Sequence, residues 1–448
     1  MLQGGSNFEF ASLALSGTGK QKRIQEMIEK VINRKNMLRA YRQVVSNKGS
    51  AGVDGMPVKA LWEHLDKNRE KIALEVCNGT YLPQAILGVE IPKSNGKTRL
   101  LGIPTVTDRL LQQAVSQVIT IKFEAEFKDH SYGFRPDRNA HQAVHQAQKN
   151  IHAGYGHIVD IDLKSFFDEV DHCILLQLLY RKVKCRLTLR LILKWLRAPI
   201  LINGKLTKRR KGVPQGSPLS PLLSNIMLHE LDKELEKRKL PYVRYADDFS
   251  IYTKSNPAAR KVGNEIYLFL QEKLKLPINR EKSGIRKPVQ FGLLGYQFVP
   301  TYKKGDKGRY QLVAMDKSWK NLKGKLKSVT RKTSPLSFGE RIQKLKEIGQ
   351  GWVNYFRMAS LTGKLKELDG WVRNRLRYCI WHDCLKEIPL GEEARSEKEK
   401  PDPFGCKSGT RLCLEQNPNG RMGGCPEPHF TNDHHFKTPD KTRLPIHA

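Results

Sequence analysis

Two adjacent aspartates, Asp247 and Asp248, interrupt an apolar, β-prone run in the segment VRYADDFSIYT at 243–253. A buried carboxylate without a partner loses its hydration at a high cost in free energy. Two neighbouring carboxylates also repel each other when both are ionised. A chain that folds around this segment must therefore place the pair where a cation can reach it, and this requirement restricts both the fold and the chemistry.

A third carboxylate, Asp162, ends a short apolar strand predicted in VDIDL, and the runs YVRYA and FSIYT predict a hairpin with Asp247 and Asp248 at its tip. Three carboxylates from two strands, brought side by side, would form a site for two divalent cations. Hard oxygen ligands suit Mg²⁺, with Mn²⁺ as a substitute. Two such ions stabilise the attacking and leaving oxygens of a phosphoryl transfer. Spacing alone is more typical of a loop or a helix cap, so the other motifs decide between these interpretations.

The charge of the chain indicates a polyanionic partner. The 448 residues carry a formal net charge of +34, and residues 387–448, with 9 Lys or Arg and 10 Asp or Glu, contribute none of the excess. Nucleic acid is the simplest partner for the basic body, and a solvated basic surface is the alternative. The sequence contains no run of 18 or more apolar residues, so no membrane partner is predicted.

The eight cysteines are scattered, and none forms a CxxC pair. This spacing predicts neither a disulfide framework nor a structural zinc site. The N-terminus lacks a basic segment followed by a long apolar core, which argues against a secretory signal. A reducing, cytoplasmic location is therefore expected.

Basic residues suited to binding phosphates lie on either side of the acidic motifs. The segment ILGVEIPKSNGKTRLLGIP at 86–104 predicts a hairpin around a Ser-Asn-Gly turn, and it carries Lys93 and Arg99, which could hold a triphosphate. Lys282, in LPINREKS, could donate a proton to a leaving pyrophosphate. Taken alone, each of the three is more typical of a solvated surface charge.

The segment beginning INGKLTKRRKGVPQGSPLSP at 202 predicts a second hairpin, a loop and a long helix. The backbone of the loop VPQGSPLSP at 213–221 could approach a base pair closely because it contains glycine. The alternative is a simple helix-initiating loop, with Ser220 as N-cap and Pro221 as the first helical residue. Further helices are predicted at 107–126, 139–153 and around 257–274, and short strands near 289–299.

The region 315–386 has a helical and basic pattern. Lysines recur there in steps of three and four residues, at Lys317, Lys320, Lys323 and Lys327. This spacing predicts a positive stripe along one helix face.

Taken in order, these motifs resemble those of the bacterial group II intron reverse transcriptases. The resemblance spans roughly 25–386 and rests on NKGSAGVDG, IPKSNGKTRLLGIPTVTDRLLQQAV, SYGFRPDRNAHQAV, DIDLKSFFDEVDH, GVPQGSPLSPLLSNIMLHELD, RYADDFSIY, LPINREKS and LLGYQF. The run GWVNYFRMAS…LDGWVRNRLRYCIW is similar to the thumb, or maturase X region, of the family. Retron and diversity-generating reverse transcriptases have a different sequence where this chain reads PQGSPLSPLLSNIML, so the resemblance is to the group II intron enzymes rather than to those subfamilies.

The resemblance implies an α+β fold, a right-hand polymerase. Fingers and palm would be built from antiparallel sheet and helices, and an α-helical thumb or maturase X domain would follow. The expected boundaries are an N-terminal extension at 1–60, fingers with the start of the palm at 61–160, the palm and the remaining fingers at 161–300, the helical thumb or maturase X domain at 301–386 and an atypical tail at 387–448.

The resemblance also implies roles for individual residues. Asp162 and Asp247 would be the main metal ligands, Asp248 would complete the acidic triad, and Lys282 would be a general acid. Lys93 and Arg99 would lie on the fingers hairpin that holds the triphosphate. Phe167, next to Phe166, would exclude a ribose 2′-hydroxyl. The loop residues expected to contact the nascent base pair are Pro214, Gln215 and Gly216.

The function implied is an RNA-directed DNA polymerase that copies intron RNA into DNA by two-metal-ion nucleotidyl transfer and assists splicing as a maturase, coupled to integration into DNA. Its partners would be group II intron RNA, an RNA template with a DNA primer or target DNA, and dNTPs. No endonuclease domain is expected because matching CxxC pairs are missing. An RNA-binding maturase without polymerase activity and a domesticated reverse transcriptase remain alternatives.

The tail at 387–448 departs from the family pattern. It contains no Trp and only six Ile, Leu or Val, a composition that predicts disorder. Three cysteines and three histidines there suggest zinc, but their spacing fits no common site. A frameshift is a sharper hypothesis: permitted codons for 409–436, read one nucleotide out of frame, give EHAYAWSRTRMGGWGAVPSPILPTTTTL, which is similar to the family tail.

Overall fold

A computed structural model describes residues 27–92, 96, 98–301 and 308–387, the last five without side-chain detail. Lys93 and the tail beyond residue 387, with its zinc and frameshift hypotheses, lie outside these residues. The described residues form two compact units, one from residue 27 to Leu294 together with the described residues of 298–310, the other containing Gly295–Gln297 and residues 311–387.

The first unit contains the helices α1 (Arg34–Ser46), α2 (Leu61–Asn78), α3 (Val106–Glu124), α4 (Ala140–His152), α5 (Phe166–Glu169), α6 (His172–Val183), α7 (Arg186–Arg197), α8 (Ser220–Lys237) and α9 (Asn256–Leu268). All of these except α4 contribute side chains to one apolar core, which they share with strands of a four-stranded sheet. The helices predicted at 107–126, 139–153 and 257–274 correspond to α3, α4 and α9, the last extended by a π turn at Phe269–Lys273.

The first sheet contains both hairpins predicted from the sequence. Strand β1 (Ile86–Pro92) pairs antiparallel with β2 (Thr98–Ile103), and β4 (Ile200–Ile202) pairs antiparallel with β5 (Lys205–Thr207). Strand β4 also lies parallel to β1, which gives the order β2-β1-β4-β5. The two-residue Asn203-Gly204 turn has φ values of 48° and 80°, the left-handed geometry that hairpin turns require.

The second sheet has the order β6-β7-β3-β8 and is antiparallel throughout. Its strands are β3 (His157–Ile161), β6 (Tyr242–Tyr245), β7 (Asp248–Thr253) and β8 (Gly284–Arg286). Helix α9 packs on β3 and β7, and α4 packs on β6. These helices cover apolar side chains of the strands and leave the ends that carry the acidic motifs outside the core.

Helix α8 is buried along most of its length and follows the VPQGSPLSP loop. It begins at Ser220, with Leu219 as N-cap, so the prediction of Ser220 as N-cap was wrong by one residue. The Ser220 hydroxyl donates instead to the Pro214 carbonyl, at 2.6 Å. This hydrogen bond folds the loop back over the start of the helix.

The second unit is helical in the region where a basic helical pattern is predicted. It contains α10 (Asp316–Val329), α11 (Phe338–Tyr355) and α12 (Thr362–Glu387), which pack around a core that includes Leu322, Leu326 and Leu345. The remaining strands are β9 (Gly292–Leu293), β10 (Tyr296–Pro300) and β11 (Tyr310–Ala314). All four lysines of the predicted stripe on α10 are exposed. Among the helices described, none is long and apolar enough to cross a membrane.

Candidate active site at the aspartate hairpin

The segment VRYADDFSIYT forms the hairpin predicted for it. Val243 pairs with Ser250 and Tyr245 pairs with Asp248, so Ala246 and Asp247 form a two-residue turn. Ala246 has a φ of 59°, a left-handed conformation that is uncommon for a residue with a side chain. Asp247 therefore lies in the turn itself, and Asp248 is the first residue of β7.

Asp162 directly follows β3, the strand next to β7. Ile161 pairs with Phe249, so the chain carries Asp162 past the end of this ladder on the side where Asp248 begins β7. Asp160, two residues earlier, lies on the same face of β3 as Asp162. Its carboxylate accepts a hydrogen bond of 2.9 Å from Nε of Arg286 on β8. The sheet register thus gathers acidic residues at one end of the neighbouring strands β3 and β7, which is called the acidic edge below.

The electrostatics of the acids show that they influence one another. Asp248 is exposed, yet desolvation by the surrounding protein, followed by the negative charges of Asp247, Asp162 and Asp160, raises its pKa to about 6. Burial and the charge of Asp162 also raise the pKa of Asp247, against the lowering effect of Arg99. A cation shared by these carboxylates would relieve this unfavourable charge.

Lys282 pairs with Asp162. Its Nζ lies 3.2 Å from the Asp162 carboxylate. The loop that carries Lys282 is fixed to the same residue, because the Asn279 amide donates to the Asp162 carbonyl at 2.8 Å and the Asp162 amide donates to the Ser283 hydroxyl at 3.0 Å. The lysine proposed as a general acid is therefore adjacent to the acidic edge.

Within residues 27–387, as far as they are described, no group of three or more His, Cys, Asp or Glu side chains is arranged to hold a metal ion. The Asp162 side chain is engaged with Lys282 instead. The donor set still fits Mg²⁺, since carboxylate oxygens are its preferred protein ligands and the raised pKa values mark a site that favours a cation.

The loop predicted to contact a base pair packs directly on the fingers hairpin. The Gly102 amide on β2 donates to the Gln215 carbonyl at 2.7 Å. A Cβ on Gly216 would lie 2.6 Å from the Gly102 carbonyl oxygen, so only glycine permits this approach. Nε of Arg99 donates to the Gln215 side chain. The structure thus brings Arg99, Gln215 and Gly216 together.

The two phenylalanines of the predicted ribose gate have different environments. Phe166 is 2% exposed and belongs to the main core, whereas Phe167 is partly exposed. Their rings contact each other edge to face, with centroids 5.3 Å apart. The Val213 amide donates to the Phe167 carbonyl at 2.6 Å, which ties Phe167 to the 213–216 loop. Phe167 is therefore the more accessible member of the pair.

Two features of the site were missed in the sequence. Asp160 belongs to the acidic edge, and the alternation in VDIDL was a signal that it shares a face with Asp162. Arg244, two residues before the turn, is fully buried against Asp232 of α8. The signal for this buried pair was an arginine within a strand whose other residues are apolar or aromatic. A buried charge requires a partner, so this arginine predicts a buried acid nearby.

Comparison with known protein families agrees with this geometry. Residues 91–298 match the family described as reverse transcriptase (RNA-dependent DNA polymerase), and residues 319–387 match the group II intron maturase-specific domain. Protein YkfC of Escherichia coli K12 is 31% identical over 311 residues, which cover 60% of this chain and 81% of that protein. The chain belongs to the family of group II intron-encoded reverse transcriptases.

A second member of the family is the group II intron-encoded protein LtrA of Lactococcus lactis subsp. cremoris, 34% identical over 351 residues. The match covers 61% of this chain and 58% of LtrA, so the chain spans somewhat over half the length of that relative. A solved structure, the partial Cas6-RT-Cas1–Cas2 complex, matches with 25% identity and a TM-score of 0.35 over 55% of this chain and 43% of that chain. The two family matches, together with the mixed sheet and helix of the structure, confirm the predicted fold class: a reverse transcriptase with fingers and palm, followed by a helical thumb.

Proposed function

We propose that the chain is an RNA-directed DNA polymerase of a group II intron, which copies intron RNA into DNA and also binds that RNA to assist splicing. One observation carries the proposal. The hairpin with Asp247 and Asp248 at its tip pairs in register with β3, the strand that Asp162 directly follows, which is the placement expected of an acidic triad for nucleotidyl transfer.

In this proposal, Asp162 and Asp247 are the main ligands of two Mg²⁺ ions, with Mn²⁺ as a substitute, and Asp248 supports them. The bound ions would supply Lewis-acid stabilisation of the reacting phosphate. Lys282, next to Asp162, donates a proton to the leaving pyrophosphate.

The remaining residues would bind and select the nucleotide. Lys93 and Arg99 hold the triphosphate, and Arg99 is placed for this by its hydrogen bond to Gln215. Pro214, Gln215 and Gly216 contact the nascent base pair through a loop fixed on β2. Phe167, supported by the buried Phe166, excludes a ribose 2′-hydroxyl and so favours dNTPs.

The partners proposed are group II intron RNA, an RNA template with a DNA primer or target DNA, and dNTPs, with the bacterial cytoplasm as location. The net charge of +34 and the exposed lysines of α10 suit a structured RNA. Such RNA is recognised mainly through phosphates and shape. We propose fingers at 61–160 together with the start of the palm, the palm with the remaining fingers at 161–300, and the thumb at 301–386.

Primer extension tests the polymerase. The wild-type chain, given an RNA template, a DNA primer, dNTPs and Mg²⁺, is expected to extend the primer. Asp162→Asn, Asp247→Asn and Asp248→Asn should each abolish extension and keep the affinity for intron RNA within about twofold. Extension near the wild-type rate by Asp162→Asn or Asp247→Asn would overturn the triad assignment.

A maturase that binds intron RNA without polymerising is the second candidate, and the match of 319–387 to the maturase-specific domain favours it. It requires no acidic triad. Absence of extension by the wild-type chain, together with splicing assistance that survives Asp247→Asn, would favour this candidate. Intron RNA domains flanking the gene would distinguish both from a domesticated reverse transcriptase.

A further inference from the structure

The turn that carries Asp247 is held by a buried arginine. Arg244 of β6 and Asp232 of α8 form an ion pair in which both side chains are 0% exposed. The pairing is bidentate, with Arg244 Nε donating to Asp232 Oδ1 at 2.8 Å and Nη2 donating to Oδ2 at 2.6 Å. Burying such a pair costs desolvation free energy, and well-packed apolar side chains are often as stable. Stability alone therefore does not account for it.

The third guanidinium nitrogen reaches the aspartate turn. Arg244 Nη1 donates to the Ala246 carbonyl and to Asn225 Oδ1 of α8, each at 3.0 Å. The Ala246 carbonyl belongs to the peptide bond that joins Ala246 to Asp247. The guanidinium thus fixes this peptide directly to α8.

The segment 130–133 also packs against the turn. The Asn225 side-chain amide donates to the Gly133 carbonyl at 2.9 Å. A Cβ on Gly133 would lie 2.3 Å from the Ala246 nitrogen, so the two backbones are in direct contact. The backbone of Arg244 itself pairs with this segment, through the His130 carbonyl and the Tyr132 amide, both at 2.9 Å. The left-handed Ala246 is therefore enclosed from two directions.

We propose that Arg244, Asp232 and Asn225 are a positioning cluster that sets the aspartate hairpin for catalysis. The inference rests on the proposed polymerase function. None of the three touches substrate in this role; they act through the turn peptide. Catalytic groups must be held within about 0.5 Å of their productive geometry, and a misplacement of about 1 Å costs roughly 100-fold in rate. A flexible two-residue turn requires outside support to reach that precision.

Arg244→Lys is the first test. Lysine keeps the charge opposite Asp232 but lacks the planar fork that reaches Ala246 and Asn225 at the same time. We expect kcat for primer extension to fall by about 100-fold and the Mg²⁺ concentration for half-maximal rate to rise. The KM for dNTP and the Kd for primer–template should stay within about threefold. A purely structural role would lower the amount of folded protein without moving the Mg²⁺ midpoint.

Arg341→Lys is the matched control. Arg341 of α11 is also buried, at 2% exposure, and its guanidinium donates to the backbone carbonyls of Arg331, Ser334 and Leu336. Its replacement should reduce thermal stability by a similar amount and leave kcat and the Mg²⁺ midpoint of the folded fraction unchanged. Equal shifts of the midpoint in both variants would overturn the proposal.

A second variant keeps the test decisive if Arg244→Lys fails to fold. Arg244→Met combined with Asp232→Leu replaces the ion pair by apolar side chains of similar size and should fold. We expect it to retain primer–template affinity and to lose kcat. Wild-type kcat and Mg²⁺ midpoint in this double variant would overturn the positioning role.

Amide hydrogen exchange separates this inference from the proposed function. If the wild-type chain does not extend primers, the polymerase proposal fails, yet the cluster still predicts faster exchange at Asp247 and Asp248 in the double variant than in wild type, with little change in α10. Unchanged exchange at the turn would overturn the positioning cluster whatever the activity.

Discussion

Lys282 Nζ lies 3.2 Å from a carboxylate oxygen of Asp162. The lysine therefore places its positive charge beside Asp162, the carboxylate that is also proposed to bind a metal ion. Because the Asn279 amide and the Ser283 hydroxyl fix the lysine loop to the Asp162 backbone, the pairing does not depend on the long side chain alone. Lys282 should influence both the affinity for the cation and the rate of the reaction.

Replacing Lys282 by Ala should have two opposite effects. The Mg²⁺ concentration for half-maximal rate should fall, because a competing positive charge is removed from Asp162. The kcat should fall by roughly 100-fold, the lower range for loss of a general acid. Primer extension over a Mg²⁺ titration measures both quantities. The matched control is Lys275→Ala, since Lys275 is similarly exposed and lies 3.6 Å from Asp171; both quantities should change less than twofold. A Lys282→Ala protein that also shows unchanged values would contradict the assignment.

Asp248→Asn should stabilise the metal-free protein while abolishing extension. The pKa of Asp248 is raised to about 6 from 3.8. The folded state therefore binds more protons than the unfolded state between these values, and the ionised carboxylate opposes folding above pH 6. In EDTA at pH 7.5 the variant should have a higher Tm than wild type, and the difference should shrink at pH 5. Mg²⁺ should raise the wild-type Tm more than that of the variant. An equal or lower Tm of the variant in EDTA at pH 7.5 would contradict this.

Gly133→Ala should damage the aspartate hairpin. The added Cβ would lie 2.3 Å from the Ala246 nitrogen and 3.0 Å from the Tyr245 carbonyl carbon, both backbone atoms that cannot rotate away. We expect a loss of about 1–3 kcal/mol in the free energy of unfolding. Displacement of Asp247 should lower kcat by about 100-fold. Gly156→Ala is the control, because a Cβ there meets no atom within 4 Å. Comparable kcat values for the two variants would show that the added Cβ at Gly133 does not displace Asp247.

The aspartate hairpin could be predicted from local sequence because its signals are local. Acids between two β-prone runs indicate a turn, and the register Tyr245–Asp248 agrees. The partner strand ending at Asp162 lies 85 positions away in sequence, and its pairing followed from the resemblance to a family rather than from composition. Proximity across such a separation is a property of the sheet order, which no local pattern encodes.

The buried cluster could not be predicted for a related reason. Asp232 lies within LDKELEKR, where charged residues ordinarily mark the solvated face of a helix, yet it is 0% exposed. Whether a helix face is solvated depends on the strand that packs against it. The pair Phe166 and Phe167 shows the same limit on a smaller scale. Phe166 enters the core and Phe167 does not, although the two adjacent residues are identical in type.

Phe167→Ala should relax the choice of sugar. Phe167 is the accessible ring of its pair, and its carbonyl is tied to the Val213 amide, so removing the side chain opens space without freeing the loop. We expect kcat/KM for rNTP incorporation to rise relative to dNTP by at least tenfold. Single-nucleotide extension with paired dNTP and rNTP substrates measures the ratio. Phe123→Leu changes a core aromatic residue on α3; it serves as the control and should leave the ratio unchanged. If Phe167→Ala also left the ratio unchanged, Phe167 would not be the residue that excludes the ribose 2′-hydroxyl.

His229 should make the first unit sensitive to acid. Its ring is 4% exposed, packs edge to face on Phe127, and, among the residues described, neither ring nitrogen has a hydrogen-bond partner. Burial, and then the charge of Lys233, lowers its pKa to about 4 from 6.5. The folded state therefore keeps His229 neutral where the unfolded state takes up a proton. Its contribution to stability is complete above pH 6.5 and is lost as the pH falls towards 4.

The variant His229→Leu isolates this contribution, since leucine fills a similar volume and does not titrate. Between pH 7 and pH 5, wild type should lose about 2 kcal/mol more free energy of unfolding than the variant, because the other titrating groups are common to both proteins. Urea unfolding followed by tryptophan fluorescence at the two pH values measures the difference. Equal losses in the two proteins would show that the folded protein protonates the His229 imidazole as readily as the unfolded chain does. A buried imidazolium would then require a carboxylate or carbonyl partner in the folded protein.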